Sequence, residues 1–254
     1  MVIIEKVMLA DIPALHIVKN QIKEEKLPVI FFIHGFGSAK EHNLHYAYLY
    51  AEEGYRVILP EAEYHGERSI GITESEMDFK FWDIVVNEIN ELQLIKEDLQ
   101  TKGLIDDARI GLAGTSMGGI VTLGALTQYS WINTAVSLMG SPYYEAFCRG
   151  QINELKRHGV DLPFTNAELE EKYEVLRKYD LSMQPDALAG RPILFWHGKR
   201  DEVVPFQYTY DFYNRVKPLY DNEDNIKFIA DPQADHKVSR EGLLASVEWF
   251  KQHL

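Results

Sequence analysis

The pattern of apolar and polar positions predicts strands and helices that alternate from residue 29 to the end. Continuous apolar runs such as 29–33 are typical of strands buried on both faces. Residues 79–99 instead repeat apolar side chains at helical spacing. This alternation implies parallel strands joined by right-handed helical crossovers. Strands are predicted at 2–9, 14–18, 29–33, 55–59, 108–113, 134–139, 192–196 and 225–229, and helices at 42–53, 79–99, 119–126, 208–216 and 240–250.

Residues 143–189 interrupt this alternation, because they carry helical and polar stretches but no strong strand. We interpret them as a small helical lid inserted in a single domain that covers 1–254, placed where it would overhang a pocket. Three aromatic residues, Tyr143, Tyr144 and Phe147, begin the segment. They are candidates for an apolar wall that binds an acyl or aryl group. The alternative, equally supported by the sequence, is that they seat the lid on the core.

The most informative motif is Gly114-Thr115-Ser116-Met117-Gly118, which fits G-x-S-x-G between a predicted strand and a predicted helix. A strand that turns abruptly into a helix exposes one side chain on a strained bend, and glycines remove the Cβ atoms that would collide there. We therefore predict that Ser116 is a nucleophile. The alternative is a glycine-rich turn that holds a buried serine.

A serine hydroxyl needs an adjacent base to attack a carbonyl. His236 follows the last predicted strand, and Asp201 follows the strand before it, so the order Ser…Asp…His is that of this strand–turn–helix arrangement. Open α/β sheets place their sites beyond the carboxyl ends of the strands. We predict that Asp201 orients His236. The other candidate carboxylates are Asp231, Asp235 and Glu202.

The stretch His34-Gly35-Phe36-Gly37 follows the strand predicted at 29–33. Its glycines allow the backbone to pass close to the nucleophile, and we assign the amides of Phe36 and Met117 as an oxyanion hole. A glycine turn that serves packing alone is the alternative. His34 and His197 precede glycines at strand ends and are expected to shape turns, whereas His65 is a loop residue that could line the pocket.

Composition limits the class of protein. The chain has 254 residues, of which 46% are hydrophobic and 26% charged, as in ordinary globular domains. A net charge of −13 argues against nucleic-acid partners and anionic membranes. The single cysteine, Cys148, excludes an internal disulfide. Without a recognisable signal peptide or a long apolar stretch, we expect a cytoplasmic protein.

Metals and cofactors are not expected. The histidines show neither H-x-x-x-H nor H-E-x-x-H spacing, and no G-x-G-x-x-G or P-loop is present. His42 and His45 are three residues apart on a predicted helix, where an exposed helix face is the simpler interpretation.

Taken together, the motifs at 34–37, 114–119, 197–205 and 235–236 resemble those of an α/β-hydrolase. The resemblance is to bacterial serine esterases related to dienelactone hydrolase and to the catalytic domain of prolyl-oligopeptidase-type enzymes. It covers nearly the whole chain and implies a mostly parallel eight-stranded sheet flanked by helices, with cofactor-free acyl transfer. The stretch 64–68 also resembles a loop beside the pocket in these families. Unlike dienelactone hydrolase, which uses cysteine, this chain has serine at 116.

The leading functional hypothesis is a serine carboxylesterase that acts on a small-molecule ester with a small to medium acyl group. A peptidase or amidase, or a thioesterase, would use the same three residues. A non-catalytic binding module is disfavoured, because the Ser, Asp and His set is intact. The sequence leaves the oligomeric state and the physiological substrate open.

Overall fold

One mixed sheet of eight strands organises the molecule. The computed structural model describes residues 1–254, with every side chain except that of Glu74. The strands lie in the order β1-β2-β4-β3-β5-β6-β7-β8; β1 and β2 form an antiparallel hairpin, β2 pairs antiparallel with β4, and the other pairs are parallel. The strand bounds are β1 Val2–Leu9, β2 Ile12–Lys19, β3 Leu27–Ile33, β4 Arg56–Pro60, β5 Ile105–Thr115, β6 Thr134–Leu138, β7 Ile193–Gly198 and β8 Ile226–Asp231. The mostly parallel eight-stranded sheet is thereby confirmed.

Helices cover both faces of the sheet. α1 and α8 pack on one face through Tyr50 and Phe250, and α3, α4 and α7 pack on the other. Such coverage is what continuous apolar strands require, since both of their faces must be buried. The helix bounds are α1 Leu44–Glu52, α2 Glu74–Phe79, α3 Phe81–Thr101, α4 Met117–Gln128, α5 Tyr144–Arg157, α6 Asn166–Arg177, α7 Phe206–Val216 and α8 Arg240–His253.

The centre of the sheet is the most apolar part of the chain. All seven residues of β3 are buried, and the carboxyl-terminal half of β5 lies beside them in parallel register, with Ile33 opposite Gly114. α4 is buried from Met117 to Leu126, as expected for a helix that is apolar all round. The turn between β5 and α4 is therefore held by packing on every side.

Two helices of residues 143–189, α5 and α6, lie between β6 and β7 in the chain. α6 begins at a capping box in which Thr165 and Glu168 bond each other's backbone amides. α5 packs its apolar side against α3, where Trp82 meets Phe147 with ring centroids 5.9 Å apart. The inserted segment is thus packed on α3 through α5.

Among the described residues, no helix combines the length and the apolar character that crossing a membrane would need.

Candidate active site

Ser116 sits on a strained turn between β5 and α4. Its backbone adopts φ 53° and ψ −114°, a region that residues with a Cβ rarely occupy and that is retained only where the surroundings enforce it. Here the surroundings are two glycines. A Cβ at Gly114 would lie 2.3 Å from the carbonyl carbon of Gly118, and a Cβ at Gly118 would lie 2.0 Å from the carbonyl oxygen of Ile33. Glycine at both positions is therefore required for the turn that presents Ser116.

Three side chains from three different loops form one hydrogen-bonded chain. The Nε2 of His236 lies 2.8 Å from the Oγ of Ser116, and its Nδ1 lies 2.7 Å from the Oδ2 of Asp201. A carboxylate only accepts, so Nδ1 carries the proton and Nε2 is left to accept from the serine hydroxyl. This is the geometry of a nucleophile, a base and an orienting carboxylate.

Asp201 is fixed from both of its oxygens. Its Oδ1 accepts hydrogen bonds of 2.9 Å from the amides of Val203 and Val204, and its Oδ2 faces His236 and, at 3.2 Å, the Nε2 of His197. Burial by itself would raise the pKa of Asp201, but the donors His197, His236 and Val204 outweigh it and hold that pKa well below its usual range. The carboxylate is therefore ionised and rigid.

The other candidate carboxylates lie elsewhere. Glu202 and Asp235 are exposed, and Asp231 accepts from the amides of Gln233 and Ala234 in its own turn. Of the four acids considered from the sequence, the structure brings Asp201 to His236.

Two backbone amides near Ser116 are available to bind an oxyanion. In the described part of the chain, the N–H groups of Phe36 and Met117 make no hydrogen bond, as is usual for the first amide of a helix such as α4. The loop of Phe36 passes close to the serine, since a Cβ on Gly35 would lie 3.5 Å from the Cβ of Ser116. Both amides are thus free beside the nucleophile.

His65 holds the loop of Phe36 and Gly37 in place through a hydrogen bond and a ring contact. Its Nε2 accepts a 2.9 Å hydrogen bond from the amide of Gly37, its Nδ1 lies 2.8 Å from the carbonyl oxygen of Glu63, and its ring packs edge-on against Phe36. Burial lowers the pKa of His65, which favours the neutral form that can accept from Gly37. The expectation that His65 lines the pocket is wrong, because His65 is not among the described residues that line the cavity beside Ser116; it holds the loop of Phe36 and Gly37 in place instead.

A buried ion pair that the sequence analysis missed holds the same region. The carboxylate of Glu61 accepts from the Lys40 ammonium, from the Lys40 amide at 3.0 Å and from the Glu67 amide at 3.2 Å. Gly66 has φ 44°, and a Cβ there would lie 2.1 Å from Glu61. A glycine at position 66 is consistent with a neighbouring group that leaves no room for a Cβ, but nothing in the sequence identifies that group as Glu61.

A cavity of about 520 Å³ opens beside Ser116 and His236. Its walls are mainly aromatic and aliphatic and come from helices α2, α3, α5 and α6 and from the loops after β3, before α6 and after β7. Phe36 and Phe147 are identified by sequence motifs and position, but no motif marks the aromatic residues around the start of α3. The other large apolar residues of the lining are Phe79, Phe81, Trp82, Ile152, Leu155, Phe164, Leu169, Val203 and Val204.

Of the aromatic residues that begin the inserted segment, Phe147 lines this cavity and the two tyrosines do not, within the described lining. Tyr144 is fully buried and donates a 2.6 Å hydrogen bond to the carbonyl oxygen of Ile120 in α4. Tyr143 packs against Tyr208, with ring centroids 5.5 Å apart. The tyrosines therefore have the packing role that the sequence left as the alternative.

Cys148 also lines the cavity but is poorly suited to act as a nucleophile. It is buried, and burial raises the pKa of its thiol to about 12. The thiolate is the reactive form of cysteine, so this side chain stays protonated and unreactive at neutral pH.

The described residues contain no group of three or more His, Cys, Asp or Glu side chains arranged to hold a metal ion.

Comparison with known proteins shows similarity from end to end. A family model described as "Prolyl oligopeptidase family" matches residues 42–254. The protein named "Putative esterase YitV" of Bacillus subtilis (strain 168) is 48% identical over 255 residues, and "Esterase YjfP" of Escherichia coli (strain K12) is 30% identical over 260 residues; each match covers 100% of both chains. The crystal structure of TT1662 from Thermus thermophilus, 20% identical, superposes with a TM-score of 0.76 over 99% of this chain and 98% of that one.

Proposed function

Since the chain belongs to the prolyl oligopeptidase family of α/β-hydrolases, we propose that it is a serine carboxylesterase for small to medium acyl esters. The observation that carries the proposal is the hydrogen-bonded chain from Asp201 through His236 to Ser116, which ends at an apolar cavity. The names of the relatives YitV and YjfP support an ester as the substrate.

Ser116 Oγ attacks the acyl carbon and its proton passes to His236 Nε2. The carbonyl oxygen becomes an oxyanion that accepts from the free amides of Phe36 and Met117, each worth about 3 kcal/mol in the transition state. Asp201 keeps Nδ1–H in place and stabilises the imidazolium. His236 then gives its proton to the leaving alcohol, and an acyl-enzyme ester on Ser116 remains.

Water completes the cycle. His236 Nε2 takes a proton from a water molecule, the resulting hydroxide adds to the acyl carbon, and the same two amides bind the second oxyanion. Collapse breaks the bond to Ser116 Oγ, which recovers its proton from His236 and releases the carboxylic acid. Each cycle converts one ester and one water molecule into an alcohol and a carboxylic acid and leaves the three side chains as they began.

The size of the cavity supports a medium acyl or aryl group. Its volume of about 520 Å³ falls within the range of small-molecule sites. Its aromatic lining removes apolar surface of the substrate from water, which contributes about 0.8 kcal/mol for each buried CH₂. Activity should therefore rise with acyl length until the cavity is full.

A peptidase or amidase is the second candidate, because the matching family model is described by an oligopeptidase. A thioesterase would use the same groups. The test compares p-nitrophenyl esters of 2 to 12 carbons with the p-nitroanilide and the thioester of the best acyl group, using Ser116→Ala as control. We expect ester turnover to peak at about 4 to 8 carbons, in line with a pocket of this size. Faster turnover of the anilide than of the ester would contradict the proposal in favour of an amidase, and faster turnover of the thioester would do so in favour of a thioesterase.

A further inference from the structure

One polar side chain stands out in the apolar cavity. Gln151 of α5 lines the cavity, is half-buried, and accepts a 2.8 Å hydrogen bond from the indole Nε1 of Trp82. An indole N–H can only donate, so the amide oxygen of Gln151 faces Trp82 and its NH₂ group faces away. Among the described residues that NH₂ group has no hydrogen-bond partner.

The orientation of this amide is fixed by its surroundings. Trp82 is buried and packs against Tyr144 and Phe147, with ring centroids 5.1 Å and 5.9 Å away. An indole held in this way cannot follow a rotating amide, so a flip of Gln151 would break the hydrogen bond to Trp82. The wall of the cavity therefore carries an amide whose NH₂ donor is held in one orientation, as small-molecule sites do when a few polar groups set specificity.

We propose that Gln151 Nε2 binds a neutral oxygen acceptor within the acyl group of the substrate, so that the preferred esters carry an oxo group on the acyl chain. The inference rests on the proposed esterase function. The acyl part is the part that stays on Ser116 after the alcohol has left, and it is therefore the part that the cavity must hold until water arrives.

The charges of the cavity favour a neutral acceptor over a carboxylate. Asp78 and Glu154 both contribute to its lining. Lys172 also lines it, but its ammonium is bound to both carboxylate oxygens of Asp83, at 2.6 Å and 2.8 Å. The other basic side chain of the described lining, His158, lies 3.0 Å from Glu154, so an anionic acyl group would have to compete with Asp83 or Glu154 for a cation.

The chain offers well-matched variants. Gln151→Glu keeps the shape and an oxygen for Trp82, but it replaces the NH₂ donor by a second acceptor. Gln151→Leu removes both polar groups. Asn153→Leu makes a similar change at an exposed position of the same helix, outside the described lining of the cavity.

The experiment measures kcat/KM for p-nitrophenyl octanoate and for its 4-, 5-, 6- and 7-oxo analogues, which differ in one carbonyl along a chain of constant length. In the wild type we expect one oxo position to be preferred over octanoate. We expect Gln151→Glu and Gln151→Leu to lower the ratio of kcat/KM for the preferred oxo ester to that for octanoate by about 2- to 10-fold, the range of a single net hydrogen bond. Asn153→Leu should keep the preference, and the half-ester of octanedioic acid should not be favoured.

Several results would overturn the inference. It is wrong if no oxo position is preferred, if the preference survives in both Gln151 variants, or if those variants change selectivity among leaving alcohols but not among acyl groups. A preference for the half-ester would show that the acceptor is a carboxylate. Absence of turnover with every ester, together with unreactive Ser116, would instead contradict the proposed function itself.

Discussion

The Nε2 of His197 lies 3.2 Å from the Oδ2 of Asp201, the same oxygen that accepts from His236. His197 is fully buried, and its Nε2 also lies 2.9 Å from the carbonyl oxygen of Val204, so this nitrogen carries a proton that two oxygens share. The N–H of His197 thus stabilises part of the negative charge of Asp201, and that part is not available to stabilise a protonated His236. From the sequence, His197 is expected only to shape a turn, so this contact with Asp201 is an addition.

We predict that His197 tunes the base as a positioning residue. His197→Phe removes the donor, which concentrates the charge of Asp201 on His236 and stabilises its protonated form. The acid limb of the kcat/KM profile should then move to higher pH, with a smaller effect on KM than on kcat. His197→Gln, which can still donate, should move it less. Thermal melts check the fold, and an acid limb unchanged in His197→Phe would contradict this role.

Asp201 and Asp235 form a matched pair for testing the orienting carboxylate. Asp201→Asn keeps the shape but favours the wrong tautomer of His236, so kcat should fall by about 10⁴-fold, as in serine proteases. Asp235 is exposed, and Asp235→Asn should leave kcat within about 3-fold, as is usual for changes at such sites. Both variants are compared on one activated ester. If kcat falls strongly in Asp235→Asn and stays near the wild-type value in Asp201→Asn, then Asp235 and not Asp201 orients His236.

Phe147 and Tyr144 separate substrate selection from packing. Phe147→Ala enlarges the cavity, so the ranking of esters should shift towards longer acyl groups. Tyr144→Phe should leave the ranking unchanged and lower the free energy of unfolding by about 1 kcal/mol, because the carbonyl oxygen of Ile120 loses its donor. An ester panel and urea unfolding measure the two effects. The same ranking in Phe147→Ala and wild type would exclude Phe147 from acyl selection.

A buried carboxyl away from the cavity makes stability depend on pH. Burial raises the pKa of Glu88 to about 8, so the folded chain keeps a proton that the unfolded chain releases near pH 4.5. Above pH 4.5 this difference lowers stability progressively until about pH 8, where the folded form also ionises. Glu88→Gln removes the titration. Its free energy of unfolding relative to wild type should therefore rise by at least about 1 kcal/mol between pH 5 and pH 8. A constant difference across that window would contradict the neutral form of Glu88.

Local patterns predicted the elements well, because apolar runs and turn residues are read over a few positions. Val29–Ile33 lies within β3, and the run before Ser116 lies within β5. Two helices, α2 and α3, meet at a turn at Lys80: the predicted helix at 79–99 corresponds to the second, Phe81–Thr101, and the first, Glu74–Phe79, was not predicted. The capping box of Thr73 and Glu76, which was readable as T-x-x-E, begins the first of them.

The cavity and its supports could not be predicted in the same way, because they depend on residues far apart in the chain. Trp82 meets Gln151 across 69 positions, and Gly37 meets His65 across 28. The three residues at Ser116, Asp201 and His236 could be named despite similar separations, because each follows a strand that ends at the same edge of the sheet. The order of the strands therefore predicts which loops lie near one another. It does not predict which side chains pair between a loop and an inserted helix.

The most direct measurement is covalent labelling of the purified protein with a fluorophosphonate probe, followed by peptide mass spectrometry. We predict one adduct, on the peptide that contains Ser116, and loss of both labelling and ester turnover in Ser116→Ala, by at least about 10⁴-fold for kcat. Thermal melts should show that the variant is folded. An adduct on another residue, or ester turnover retained in folded Ser116→Ala, would contradict the role of Ser116 as the nucleophile.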